Sequence, residues 1–154
     1  MTRPLLLDAL ILLILAILGV VGYKLAPLLN PKTDLTLPLA ACDLGRQACL
    51  VDLPDGGKVE FAIEPRPIPA LKPLRLQANV TGLEARKVEV DFAGVDMKMG
   101  YNRPALTATG NGRYSGQATL PVCITGTMEW DATLLIETAK AVIAVPFRFG
   151  ANSQ

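Results

Sequence analysis

The sequence contains no histidine and only two serines, Ser115 and Ser153. Without histidine, the commonest general base, the commonest zinc ligand and the usual partner of Ser and Cys nucleophiles are all missing. The carboxylates that remain are scattered and supply no set of acid, base and nucleophile, so the chain reads as a non-enzyme. Charge is scarce as well. Charged residues make up 19%, and 15 Lys plus Arg against 14 Asp plus Glu leave a formal net charge of +1. No basic field exists to attract a phosphate backbone, which excludes nucleic acid as an expected partner. A metal site without histidine has to be thioether, thiolate or carboxylate, and the first two select soft ions such as Cu(I) over zinc or magnesium.

What the chain does have is hydrophobic residues, 51% of its 154, and part of the excess is local. Leu5 to Gly22 reads L-L-L-D-A-L-I-L-L-I-L-A-I-L-G-V-V-G, eighteen residues with one charge. That is the length at which a helix crosses a hydrocarbon core. Pro4 suits a first helical turn, and Tyr23 with Lys24 supplies an interfacial aromatic and a snorkelling charge. Residues 1–24 are therefore expected to form an uncleaved transmembrane anchor. A cleavable signal peptide is the first alternative, because Arg3 provides a basic start; the following Y-K-L-A-P-L-L-N-P lacks a small-x-small site. The second is lipidation at the L-A-A-C of Leu39 to Cys42, which lies far beyond the apolar run. Asp8, the one charge inside, is either an interfacial carboxylate or a polar contact to another membrane subunit. Residues 25–41, with Pro27, Pro31 and Pro38, read as an extended linker.

Cys42 and Cys49 enclose D-L-G-R-Q-A, too wide for a C-x-x-C redox or zinc motif but suited to a disulfide closing a small loop. Cys123 is then left over; pairing of Cys49 with Cys123 is the alternative.

Past Cys49 the hydrophobic pattern has period two. Val59, Phe61 and Ile63 alternate with mostly polar neighbours, as do Leu74, Leu76, Ala78 and Val80, then Val88, Val90 and Phe92. Met128, Trp130, Ala132, Leu134 and Ile136 define a further face, and Ile143, Val145, Phe147 and Phe149 another. Turn signals separate the runs at Pro54–Gly57, Thr81–Glu84 and Gly110–Gly112. About seven strands at such spacing predict an all-β domain, an immunoglobulin-like antiparallel β-sandwich over residues 42–150 behind one N-terminal transmembrane helix, with 151–154 as a tail. Pro65, Pro67, Pro69 and Pro73 mark a crossing between two of these strands. G-N-G-R-Y-S-G looks like a phosphate loop, but no helix follows it, and Asn111-Gly112 reads as a hairpin turn. Asn79-Val80-Thr81 matches the glycosylation triplet only by chance.

The sulfur side chains collect between Ala93 and Trp130: Met97, Met99, Cys123 and Met128, with Trp130 beside them. On a strand, Met97 and Met99 share a face, as do Met128 and Trp130, each pair about 7 Å apart. If D-M-K-M-G lies beside the strand carrying Met128, two or three thioethers converge on one Cu(I), with Cys123 as a thiolate and Trp130 as a cation–π cap. The competing reading is plain core packing, since methionine at strand spacing is a common filler of sheet interiors. Cys123 is open to three roles: disulfide partner, inert core thiol or ligand. Asp96, Lys98 and Asn102 mark the Met97–Met99 stretch as an edge or loop.

D-M-K-M-G, the hairpin P-A-L-T-A-T-G-N-G-R-Y-S-G-Q-A-T-L, and G-T-M-E-W-D-A-T-L-L-I together resemble the YtkA-like and FixH-like group of bacterial envelope proteins. The match covers roughly Val88 to Ile136. The resemblance implies an immunoglobulin-like domain behind a single membrane helix, associated with copper handling and haem-copper oxidase assembly. The sequence departs from that pattern by inserting L-P-V-C before the Trp strand and by lacking histidine. Cysteine usage and the resemblance together put the C-terminal domain in the periplasm, with the helix in the bacterial inner membrane. The expected function is Cu(I) binding or relay near an oxidase or its assembly factors; the alternative is a metal-free accessory or scaffold subunit of a membrane complex.

Overall fold

The computed structural model describes residues 2–29, 35–97, 100–121 and 126–153, which fall into two units, Met1–Lys32 and Thr33–Gln154. The first contains α1, Thr2–Leu29. Its window Leu7–Lys24 has a mean hydropathy of 2.2 and none of it is buried, so the helix is long and apolar enough to span a bilayer. The helix continues past the apolar window that ends at Lys24 and runs to Leu29. Pro27 lies in the last turn, where it forfeits one backbone bond without ending the helix.

The described part of the second unit is β-structure with one 3-10 turn, Pro54–Gly56: β1 (Leu35–Thr36), β2 (Cys49–Asp52), β3 (Lys58–Glu64), β4 (Leu74–Thr81), β5 (Lys87–Gly94), β6 (Ala105–Gly110), β7 (Arg113–Ala118), β8 (Gly126–Glu137) and β9 (Val142–Ser153). The expectation of a β-rich domain behind an apolar helix holds. The strand count does not: among the described residues nine strands, not about seven, follow one hydrogen-bonded order, β1-β9-β8-β5-β6-β7-β4-β3-β2, curled into a half-barrel. The curl turns at β6, whose Ala105 and Leu106 pair with β5 while Thr107 to Gly110 pair with β7.

The core is the inside of that curl, and the period-two faces read from the sequence are the ones that line it. Val59, Phe61 and Ile63, Leu74 to Val80 in alternation, Val88, Val90 and Phe92, and the long faces of β8 and β9 are all buried. Phe61 on β3 meets Phe147 on β9 with ring centroids 5.5 Å apart, although the two strands lie near opposite ends of the order. Phe92 meets Phe149 edge-on at 6.4 Å. The first pair joins the two halves of the sheet and the second packs within one half, and such pairs add about 0.5–1.5 kcal/mol each beyond area burial.

Residues 35–41 are not a free tether. Leu35 and Thr36 pair in parallel with Ile143 and Ala144, Leu37 N–H donates to Ala144 O (2.9 Å), and Ala40 N–H donates to Pro146 O (3.0 Å). A twelve-residue strand would otherwise present a long unpaired edge, and this run covers its first half. The far half is covered by the proline crossing, where Ala70 N–H donates to Asn152 O (2.9 Å) and Asn152 N–H to Ile68 O (3.1 Å). For the same reason residues 151–153 are strand rather than tail.

Candidate functional site

The β5–β6 connection carries D-M-K-M-G. Gly94 is opposite Trp130 in the β5–β8 ladder, and Val95 N–H donates to Glu129 O at 3.0 Å. The stretch therefore starts beside the first residues of β8, as the sequence pattern anticipates. Its described residues are not strand, which agrees with the edge or loop that Asp96 and Asn102 mark. Val95 to Met97 form a bend, and Gly100 sits at φ +80. The chain then returns along β5, with Phe92 N–H donating to Asn102 O (2.9 Å) and Val90 N–H to Pro104 O (3.0 Å). The expectation that Met97 and Met99 share a face involves Met99, which lies outside the described residues.

Met97 is half-buried and packs against the core. Met128 is 4% exposed and Trp130 1%, so both belong to the interior of the curl, where Trp130 forms part of the β8 face. Met99 and Cys123 lie outside the described residues. The described donors thus leave Met97 as the one partly accessible thioether, and one thioether does not make up a Cu(I) site. Among the described residues, no three Cys, Asp or Glu side chains gather around a common point. Asp8 is exposed on the surface of α1. Cys42 and Cys49 form a disulfide, with Cys49 fully buried and Cys42 half-buried.

Two ion pairs beside this region escape a reading from sequence. Arg148 on β9 donates to both carboxylate oxygens of Asp131 on β8, at 2.8 and 3.0 Å, and this hydrogen bonding, followed by the charge attraction, raises the guanidinium pKa above its ordinary value. The pair faces outward, opposite the buried side of the same strands. Arg103 donates to Asp91 at 3.1 Å, again with its pKa raised mainly by that hydrogen bond, and its guanidinium lies 5.3 Å from the centre of the Tyr101 ring. Tyr101 is 81% exposed, so this cation–π contact sits at the surface, where it is worth about 0.5–1 kcal/mol. The cross-strand register that makes these pairs is the missing information; charge alternating with apolar residues along β5 and β8 is the only trace in the sequence.

A recess of about 550 Å³ lies elsewhere, on the outer face of β3, β4 and β7. It contains none of the sulfur residues.

The helix and the curled sheet define an apolar N-terminal helix followed by a β-domain. No family model matches the chain, and no curated protein matches it. Among solved structures, the crystal structure of an engineered protein determined at 1.98 Å is similar over 64% of this chain, with a TM-score of 0.47 and 19% identity. The match covers 21% of that protein, so this chain corresponds to about a fifth of its length.

Proposed function

We propose that the protein is a single-pass accessory subunit of the bacterial inner membrane whose periplasmic β-domain works by contact and not by catalysis. The observation that carries the reading is α1, an apolar rod with no buried face in its window Leu7–Lys24, which needs lipid or other helices around it. The Cys42–Cys49 disulfide supports an oxidising compartment for the domain. The curl, which sets Phe61 against Phe147, supports an immunoglobulin-like layering elaborated by two edge strands. Asp8 is the position from which α1 contacts a second membrane subunit through a polar group. Alkaline carbonate extraction and intact-mass measurement test the anchor. Retention in the membrane fraction with residues 1–24 intact is the expected result; a domain released without them sinks it.

A second reading, Cu(I) binding or relay linked to a haem-copper oxidase or its assembly factors, is favoured by one observation: half-buried Met97 stands beside the start of the strand that carries Met128. It requires Met99 and Cys123 to complete the donor set. Titration of the full chain in detergent with Cu(I) against a chromophoric chelator decides it. Competition no better than buffer, or affinity unchanged in a Met97→Leu/Met99→Leu double variant, removes this reading.

A further inference from the structure

The recess on the outer face of β3, β4 and β7 has a floor set by strand register. Ala62, Gln77 and Ser115 form one cross-strand row, and Glu60, Asn79 and Arg113 the next. Ala62 makes the space, because it is the smallest side chain among these rows. Gln77, Asn79 and Ser115 have no side-chain hydrogen-bond partner among the described residues. At about 550 Å³ the recess has the size of a small-ligand site.

Arg66, on the proline crossing, forms part of its wall. Its Nε is buried and makes no hydrogen bond, as is also true of Arg103 Nε, but Arg103 has Asp91 on its Nη2 and Arg66 has no such carboxylate among the described residues. Arg46, Arg75, Arg103 and Arg148 each face a carboxylate; among the described residues Arg66, Arg86 and Arg113 do not, and of these Arg66 and Arg113 line the recess. Burying a guanidinium nitrogen without an acceptor is costly, and a planar carboxylate is the acceptor that best fits its fork of donors.

The remaining lining narrows the ligand further. Glu60 and Glu64 border the same space and repel a compact anion such as phosphate or sulfate, so the ligand needs a neutral or cationic body behind its carboxylate. Unpaired primary amides and a hydroxyl match groups that both donate and accept, as peptide units do. A sugar would want an aromatic platform, but Tyr114 packs its ring against the core and donates its hydroxyl to Ala85 O at 3.0 Å.

We propose that this recess binds the carboxyl-terminal end of a peptide chain, with the carboxylate on Arg66 and the last peptide groups on Gln77, Asn79 and Ser115. This inference is independent of the membrane anchor and of the sulfur residues. The chemistry has two sources, a free oligopeptide whose amino end reaches Glu60, or the tail of a larger polypeptide.

The test is calorimetric titration of the full chain in non-ionic detergent with tri-alanine as the free acid, the carboxamide and the N-acetylated acid. The free acid is expected to bind at least about tenfold more tightly than the carboxamide. Arg66→Gln should abolish that difference, and Ala62→Leu, which fills the floor without changing charge, should weaken every ligand that binds. Acetylation that weakens binding supports a free oligopeptide held through Glu60; acetylation without effect supports a polypeptide tail. Equal binding of acid and carboxamide by the unaltered protein, no binding of either, or a preference that survives Arg66→Gln overturns the proposal.

Discussion

Cys42 and Cys49 are bonded across the seam of the curled sheet. Cys42 ends the run that lies along β9 and immediately precedes Asp43, which bridges to Arg148; Cys49 opens β2, where it pairs with Phe61. β1 and β2 are the two outermost strands of the order, so a loop of seven residues' separation ties one edge of the half-barrel to the other. The disulfide therefore holds the curl closed in addition to restricting the unfolded chain.

Removing that bond tests the closure. A Cys42→Ser/Cys49→Ser double variant is expected to lose about 2–3 kcal/mol, the magnitude of loop-entropy loss for so short a loop. Urea unfolding of the full chain in detergent, followed by the fluorescence of Trp130, measures it directly because Trp130 is the single tryptophan. A loss below about 1 kcal/mol would mean that the seam is held by the backbone bridges alone.

Met128 gives the second prediction, since at 4% exposure it is core filler by position. Met128→Leu conserves volume and should change stability by less than about 1.5 kcal/mol, while Met128→Ala leaves a cavity and should cost about 2–5 kcal/mol. The same unfolding assay separates them. If Leu proves as damaging as Ala, packing is not what holds a methionine at this position.

Much of this core is legible in the sequence, because a strand buried on one face writes its orientation into every second residue. The faces of β3, β4, β5, β8 and β9 are of that kind. β1 and residues 35–41 are not, since their role is to satisfy the edge of β9 through backbone groups, and backbone pairing leaves no side-chain signature. Their leucines and Pro38 resemble a tether for that reason. Asn111-Gly112 announces its hairpin, with both residues at positive φ, yet β6 and β7 show little alternation because Leu106 and Ala118 are their only buried apolar residues. At the candidate sites, the adjacency of Met97 to β8 follows from strand order, whereas Arg148 on Asp131 and the recess beside Arg66 depend on register and on where a proline-rich crossing folds back. Neither can be read from spacing.

Lys87 carries a pH signature. Its Nζ lies 2.9 Å from the Glu89 carboxylate, and that hydrogen bond, ahead of the charge attraction, raises its pKa above 10.5. A raised pKa on a cation stabilises the fold fully below the unfolded value of 10.5 and loses that contribution as pH climbs through the folded value. Because the side chain is mostly exposed, salt should weaken the effect. The carbon resonance next to the Lys87 ammonium should titrate with a midpoint above 10.5, and Glu89→Gln should lower that midpoint. No difference between the two proteins would mean that the pair does not persist in solution.

Gly112 is the position where the hairpin above the recess allows no side chain. Its φ is +73, Val80 N–H donates to its carbonyl at 2.8 Å, and a Cβ built on it runs into the carbonyl oxygen of Val80. Gly100 supplies the control, since its φ is +80 and nothing lies within 4 Å of a Cβ there. Gly100→Ala pays only the left-handed backbone cost, about 1 kcal/mol. Gly112→Ala pays that and must also push the β6–β7 turn off β4, weakening the Val80 bond, for a total of about 2–3 kcal/mol. The difference between the two variants in urea unfolding isolates the contact from the conformation. The turn leads directly into Arg113, so Gly112→Ala should also weaken tri-alanine binding in the calorimetric assay, while Gly100→Ala leaves it unchanged. Equal stability losses in the two variants would show that the turn can lift from β4 at no cost.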